Sequence, residues 1–331
     1  MKHLRWGLIG AGNIAVKFAR GLSSTEEATA LAIGSRSLDK ARKFAEAHAV
    51  ARAYGSYDEV LADQEVDAVY LALPNHLHAE WSIKSARAGK HVLCEKPVTM
   101  NAAELEQVLE VVRKQDVFFM EAFMYRCHPQ WQKVREIIAA GSIGEVRVLH
   151  SAFAFDMGAN FESTRMSNPM GGGGLLDVGC YCVSFARMIA GEEPEEVRAV
   201  AHIGERSRVD EWMTGLLKFP SGLTAYFTSG IRCEVPPAAD IYGSEGSLRI
   251  TAPWQPTDEN ASVILNAGGK TEEFQIKSGI DLYANEALHV AEHLDDRQAP
   301  AMSWEDSLGQ VRTIDALRAD MGLVWDQEKG A

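Results

Sequence analysis

Three short runs hold the residues whose types and spacing could do chemistry. The first is Val92-Leu93-Cys94-Glu95-Lys96-Pro97-Val98, where an apolar strand pattern ends abruptly in a charged pair. In open α/β sheets the carboxyl end of a strand is where ligands bind. Pro97 fixes its own φ and biases Lys96 toward extended backbone, which holds the ammonium in one direction. A lysine so held can orient a substrate oxygen or stabilise negative charge forming on it. The same residues also read as an ordinary surface ion pair at a strand end.

The second run is Gly10-Ala11-Gly12-Asn13-Ile14-Ala15, a G-x-G-x-x-A pattern that follows the apolar run Leu4 to Ile9 and opens a helical pattern with Ile14, Phe18 and Leu22 on one face. That is the context a dinucleotide fingerprint requires. Gly10 permits the tight turn, Gly12 lets backbone approach a pyrophosphate, and Ala15 lets helix and strand pack closely. The free N–H groups of the helix start then face the phosphates. The next strand, Ala28 to Gly34, ends in Ser35-Arg36-Ser37 and lacks the Asp or Glu that usually binds a ribose 2′-hydroxyl. A hydroxyl and a guanidinium suit a 2′-phosphate instead, so Ser35 and Arg36 predict NADP(H) in preference to NAD(H). A solvated Arg beginning the helix 38–48 is the alternative.

The third run is Gly171-Gly172-Gly173-Gly174 followed by Leu175-Leu176-Asp177-Val178-Gly179-Cys180-Tyr181. A helix beginning near Asp177 puts Asp177 and Tyr181 at i and i+4, on one face. Plain alternatives stand beside each: an N-cap for Asp177, a half-buried core tyrosine, a flexible glycine hinge.

The elements that must position these residues fall into two patterns. Up to residue 122 strands alternate with helices: strands at Leu4–Ile9, Ala28–Gly34, Val66–Leu73, the run ending at Glu95 and Val117–Phe123, with helices at 38–48, Tyr57–Ala62, the segment to Ala88, and 101–115 with Asn101 as N-cap. This predicts a Rossmann, doubly wound parallel sheet over residues 1–122. A linking helix, Pro129 to Ala140, precedes strand patterns at Val146–Phe155, Val197–Ile203, Thr214–Phe219, Leu223–Thr228, Ala239–Tyr242, Ser247–Thr251, Ser262–Leu265 and Glu272–Ile276. Short turns between several of them predict an α+β domain, 123–331, built on a large, mostly antiparallel open sheet. The helix 177–189 would cover part of one face, and the other face is a dimer surface in expectation, because a large open sheet needs a cover. The amphipathic helices 283–294 and 304–320 are expected to pack back on the first domain.

Composition bounds the possible partners. The chain has 331 residues, 46% hydrophobic, with 33 basic and 46 acidic residues and a net charge of −13. That balance argues against nucleic acid and anionic membrane. No apolar run reaches the roughly 18 residues a bilayer requires, and no signal segment is evident. Five cysteines without CxxC or metal-finger spacing suit a reducing cytosol, so a cytoplasmic protein with no metal site is expected.

Taken together the motifs resemble the Gfo/Idh/MocA family of nicotinamide-dependent oxidoreductases across essentially the whole chain. The likeness rests on Gly10 to Ala15, Leu73-Pro74-Asn75-His76-Leu77-His78, Glu95-Lys96-Pro97 and Asp177-Val178-Gly179-Cys180-Tyr181. Within the family the run Met120 to Gln130 and the tyrosine at 181, where many members have His, are similar to the branch of dimeric dihydrodiol dehydrogenases and NADP-dependent D-xylose dehydrogenases. The spacing from Arg165 to the glycine run is one residue shorter than usual.

The resemblance implies that Lys96 and Asp177 sit beside the nicotinamide, with Tyr181 as acid/base. It implies a cofactor site of Gly10, Gly12, Asn13, Ile14, Ser35, Arg36, Leu73, Pro74, Asn75, His78, Glu95, Lys96 and Arg165. Oxidising a carbinol needs a base for the hydroxyl proton, and a free Tyr, with a pKa of about 10, needs help at neutral pH. A neighbouring ammonium stabilises phenolate by about 1.4 kcal/mol per unit of pKa depression. For a polyol ring, Tyr125, Arg126 and Asn160 are available; for an aromatic diol, Phe153, Phe155, Trp254 and Tyr283 could form an apolar wall. The reading is an NADP-dependent dehydrogenase of a cyclic polyol, an aldopyranose such as D-xylose oxidised at C1. A trans-dihydrodiol dehydrogenase or a ketosugar reductase, such as a 1,5-anhydrofructose reductase, lies close in chemistry. Other classes on the same scaffold are a glycosidase that retains NAD and a non-catalytic NADP sensor. A homodimer, or a dimer of dimers, through the C-terminal sheet completes the expectation.

Overall fold

The computed structural model of the chain describes residues 2–328. Its contacts divide it into two units, one comprising the chain up to Cys127 with Gly279–Leu308, the other His128–Ser278 with the chain from Gly309.

The first unit holds six parallel strands in the order β3-β2-β1-β4-β5-β6. They are β1 (Leu4–Ile9), β2 (Ala28–Gly34), β3 (Arg52–Tyr54), β4 (Ala68–Leu71), β5 (His91–Glu95) and β6 (Phe119–Ala122). The connecting helices are α1 (Asn13–Leu22), α2 (Leu38–His48), α3 (Tyr57–Ala62), α4 (His78–Arg87) and α5 (Ala102–Gln115). This is the doubly wound order, and its switch point between β1 and β4 opens the crevice in which such sheets bind ligands. β4, β6 and nearly all of β1 and β5 are buried, because helices cover both faces of a parallel sheet. Phe18 of α1 stacks on Tyr70 at 3.9 Å between ring centres and meets Trp6 edge-on at 5.2 Å. α5 follows its sequence closely: the Asn101 side chain accepts from Glu104 N–H at 3.0 Å, and Leu105, Val108, Leu109 and Val112 are the buried stripe. The helix Leu282–Glu292 packs on α1, where a Cβ on Gly21 would come within 2.7 Å of Asp281 and Tyr283.

The second unit is built on eight strands ordered β14-β13-β12-β11-β7-β10-β9-β8. They are β7 (Val146–Asp156), β8 (Glu196–Ile203), β9 (Asp210–Lys218), β10 (Thr224–Gly230), β11 (Arg232–Gly243), β12 (Gly246–Ile250), β13 (Ser262–Ala267) and β14 (Lys270–Gln275). Every pairing is antiparallel except β7 with β10. α6 (Gln130–Ala139) and α7 (Cys180–Ala190) belong to this unit, and α7 packs on β7 and β10. β9 alternates buried and exposed residues, as a strand covered on one face must. The uncovered face carries Val200, Trp212, Leu216, Tyr226 and Tyr242, all well exposed. Cross-strand neighbours there stack: His202 on Trp212 at 4.0 Å and His150 on Tyr226 at 4.6 Å.

Three sequence expectations change. β3 has no counterpart in the reading, because three half-buried edge residues are too few to show a period. β11 begins seven residues before the expected Ala239, carrying Pro236 and Pro237 through irregular register where prolines need donate no ladder bond. The stretch Asn168–Ala190 is long and apolar enough to cross a membrane by composition, contrary to the expectation. It is mostly buried and broken into a 3-10 turn, a π turn and α7, which makes it a core segment of the second unit.

Candidate active site

The cofactor loop lies at the switch point of the first sheet. Gly10, at φ +104°, turns the chain out of β1, and its N–H donates to Gly34 O at 3.1 Å. A Cβ on Gly10 would sit 2.5 Å from Ala72 O, so any larger residue would push β1 from the chain leaving β4. Gly12 is the N-cap of α1, supplies no side-chain cap, and faces open space. The first N–H groups of a ten-residue helix are thus left for an outside acceptor, and Asn13 and Ile14 begin that helix. At the end of β2, Ser35 is buried while Arg36 is exposed; the Ser37 side chain caps α2 by accepting from Lys40 N–H at 3.3 Å. The absence of an acid, the exposed guanidinium and the uncapped helix fit a dinucleotide phosphate.

Lys96 stands at the end of β5, half-buried, before a cis bond to Pro97. Glu95 is buried; its carboxylate accepts from the Tyr70 hydroxyl and, at 3.2 Å, from Lys96 N–H. His78 has no exposed surface, and its ring nitrogens lie 2.7 Å from Pro97 O and 2.9 Å from Leu73 O. Burial pushes this imidazole below the usual range. His78 therefore ties the Leu73-Pro74 turn to the Lys96-Pro97 turn from behind; it backs the site where the resemblance implied a lining residue. Leu73 is buried, and Pro74 and Asn75 lie half-buried beside it, Asn75 opening a short 3-10 turn.

In the second unit the helix carrying Asp177 and Tyr181 starts earlier than expected. Leu175–Gly179 forms a π turn that runs into α7, so Asp177 lies inside it and is no N-cap. The anchoring group is Asp210, which the sequence reading passed over. Its Oδ2 accepts from Leu175 N–H at 2.6 Å, and burial pushes its carboxyl up to about 7. A Cβ on Gly173, at φ +107°, would lie 2.1 Å from Asp210, and one on Gly172 would lie 2.4 Å from Arg165 O. The glycines are there for close packing, not as a hinge.

Arg165 Nε donates to Asp177 Oδ2 at 2.6 Å, and its guanidinium lies over the Phe155 ring at 5.9 Å. Tyr181 is 4% exposed and meets Phe153 and Trp254 edge-on at 5.3 and 5.9 Å. Phe153 and Trp254 stack at 5.8 Å, and Trp254 Nε1 donates to Ala152 O. Phe153 and Trp254, with Phe155, Pro236, Pro237 and Asn260, line a cleft of about 610 Å³ in this unit.

The other substrate residues named from sequence are scattered. Tyr125 is fully buried in the first unit, and Arg126 is buried, paired with Asp306 and donating to Ala301 O at 3.0 Å. Tyr283 packs in the same unit, its hydroxyl pushed up by burial and the nearby Glu95. Asn160 is exposed on the loop after β7. Packing accounts for the first three. Glu121, also missed, is a buried carboxyl that accepts from Val98 N–H at 3.0 Å, two residues from Lys96, and burial pushes it up to about 7. His289, Glu292 and His293 cluster on one helix although no metal site was foreseen; their H-x-x-E-H spacing was legible.

A Rossmann cofactor loop in one unit and a polar, aromatic-walled site on an open sheet in the other define a nicotinamide-dependent oxidoreductase. The oxidoreductase family with NAD-binding Rossmann fold matches residues 4–123, and the Gfo/Idh/MocA C-terminal domain matches residues 131–249. The chain belongs to the Gfo/Idh/MocA family of oxidoreductases. It is 35% identical to mouse trans-1,2-dihydrobenzene-1,2-diol dehydrogenase over 98% of this chain and 99% of that protein. It is 33% identical to D-xylose 1-dehydrogenase (NADP(+)) 2 of Haloferax volcanii over 95% of this chain and 96% of that one. Among solved structures, the 3-ketoreductase KijD10 of Actinomadura kijaniata, determined with NADP and TDP-benzene, superposes with a TM-score of 0.89 at 32% identity, covering 96% of this chain and 97% of that one.

Proposed function

We propose that this oxidoreductase uses NADP(H) to interconvert a carbinol and a carbonyl on a ring-shaped polyol, with an aldopyranose such as D-xylose oxidised at C1 as the leading substrate. The observation that supports the proposal is the aromatic packing of Tyr181: its ring meets Phe153 and Trp254, two residues that line the open cleft, and the turn leading into its helix is fixed by Asp210. The ring's apolar face would stack on an aromatic surface while its hydroxyls meet polar groups. The same wall favours a trans-dihydrodiol as second substrate, as the mouse relative's name suggests.

The nicotinamide, when bound, supplies the hydride chemistry. Tyr181 takes the carbinol proton during oxidation and returns it during reduction. Lys96 polarises the reacting oxygen as negative charge forms on it. Asp177, held by Arg165, fixes the local charge balance. Gly10, Gly12 and the start of α1 take the pyrophosphate, and Ser35 with Arg36 takes the 2′-phosphate. The five free cysteines suit a reducing cytoplasm. A second copy of the chain would cover the exposed row Val200, Trp212, Leu216, Tyr226 and Tyr242.

The test is reduction of NADP⁺ or NAD⁺ by a panel of D-xylose, D-glucose, other aldoses, inositols and a trans-dihydrodiol, with Lys96→Met as control. Turnover with one class, stronger with NADP⁺ and lost in the control, supports the proposal. Tight NADPH binding with no turnover in either direction, ketosugars included, would favour a sensor, and co-purified NAD a glycosidase.

A further inference from the structure

The helix Leu282–Glu292 has a face that the oxidoreductase reading leaves unused. Asp281 caps its start, accepting from Tyr283 N–H at 2.8 Å, and His293 closes its end before the short turn Leu294–Asp296. His289, Glu292 and His293 stand at i, i+3 and i+4, so all three project from the last turn on one side. One ligand-capable atom from each lies within 4.8 Å of the other two. Atoms sharing a zinc-sized ion at about 2.0–2.2 Å are no more than about 4.3 Å apart, so small side-chain rotations close the set. Nε2 of His289 is shut from solvent without a hydrogen-bond partner, which leaves Nδ1, 3.9 Å from Glu292 Oε2, as that ring's ligand nitrogen. His293 Nδ1 lies 3.0 Å from Asp296 Oδ2. A carboxylate on one imidazole nitrogen is the arrangement that orients metal-ligating histidines through the other. The site also sits at the carboxyl end of the helix, where the backbone dipole attracts a cation.

We propose that His289, Glu292 and His293 bind one divalent transition-metal ion of the zinc class, with Asp296 orienting His293. Two imidazoles and a single carboxylate suit zinc, cobalt or nickel, whereas magnesium and calcium take oxygen-rich sets. Three protein ligands leave further positions to water. The bound ion would tie the last helical turn to its neighbour and stabilise the helix that packs on α1.

The experiment uses untagged, chelator-treated full-length protein titrated with zinc chloride by calorimetry, with cobalt(II) absorption as a second readout. One equivalent should bind per chain and raise Tm. His289→Gln and His293→Gln should each weaken binding at least tenfold and abolish the cobalt spectrum. Glu292 has an exposed side chain, so Glu292→Gln tests the site without disturbing the core, and it should weaken binding as well. No binding by the wild-type protein, or stoichiometric binding untouched by all three substitutions, overturns the proposal.

Discussion

Arg165 and Asp177 form an ion pair, Nε to Oδ2 at 2.6 Å, that joins the loop before the glycine run to the helical segment bearing Tyr181. The Arg165 side chain is 48% exposed and the Asp177 side chain only 15%, so the pair holds the carboxylate more than it stabilises the fold. Arg165→Met should lower global stability by less than about 1 kcal/mol. It should nevertheless reduce kcat, and Asp177→Asn in the same background should add little further loss, since the two act as a unit. Fully additive losses in a double-mutant cycle would separate them.

Arg36 is exposed at the carboxyl end of β2, where an acid would select NAD. Arg36→Ala should cut kcat/KM for NADP⁺ by roughly 10- to 100-fold, the worth of a charge-assisted phosphate contact, and leave NAD⁺ nearly unchanged. Equal efficiency with both cofactors, before and after the substitution, would remove Arg36 from the account.

Glu121 gives a pH-dependent prediction. Burial raises its folded pKa to about 7, so the native state holds its proton more tightly than the unfolded chain does. The stability it contributes is complete below about pH 4.5, near the unfolded carboxyl value, and is lost as pH rises to about 7, a loss on the order of 2–3 kcal/mol. Glu121→Gln keeps an acceptor for Val98 N–H and cannot ionise. Urea unfolding at pH 5 and pH 8 should therefore show the variant gaining on the wild type at the higher pH. An equal difference at both would contradict the buried acid.

Asp210 anchors the π turn by accepting Leu175 N–H. Asp210→Ala leaves that buried donor unpaired and should cost about 1–3 kcal/mol in chemical denaturation. Turnover should fall with it, because Asp177 and Tyr181 follow from that turn. Asp210→Asn, which retains an acceptor, should recover most of both.

Leu216 and Tyr226 face each other across β9 and β10 on the uncovered sheet face. For the proposed dimer through this face, Leu216→Lys should shift the mass measured by light scattering from dimer to monomer. A wild-type monomer would contradict the covered face.

The parts of the fold that follow local rules were legible. The glycine loop and the capped, striped α5 are set by neighbours in sequence, as is the strand-helix alternation that makes the first sheet parallel and doubly wound, its short edge strand β3 excepted. What was hidden depends on distant partners. Asp210 lies 35 positions from Leu175, and nothing near it in sequence marks it as the acceptor for a turn. His78 matched a motif, but only the folded chain reveals Leu73 and Pro97 carbonyls on both sides of its ring. Tyr125 and Arg126 looked like ligands for hydroxyls because polar core residues and site residues share a composition; Asp306 accounts for the guanidinium. Phe155 and Trp254 line the cleft because β7 and the segment after β12 converge there, a convergence the sheet order creates.

The central claim is that Tyr181 moves the substrate proton, and turnover of Tyr181→Phe tests it most directly. With the best substrate of the panel, kcat should fall by at least about 100-fold, as expected for loss of a positioned acid/base. NADPH affinity, measured by fluorescence titration of the same protein, should stay within about twofold of wild type. Near-normal turnover in Tyr181→Phe, with cofactor bound, would contradict the account.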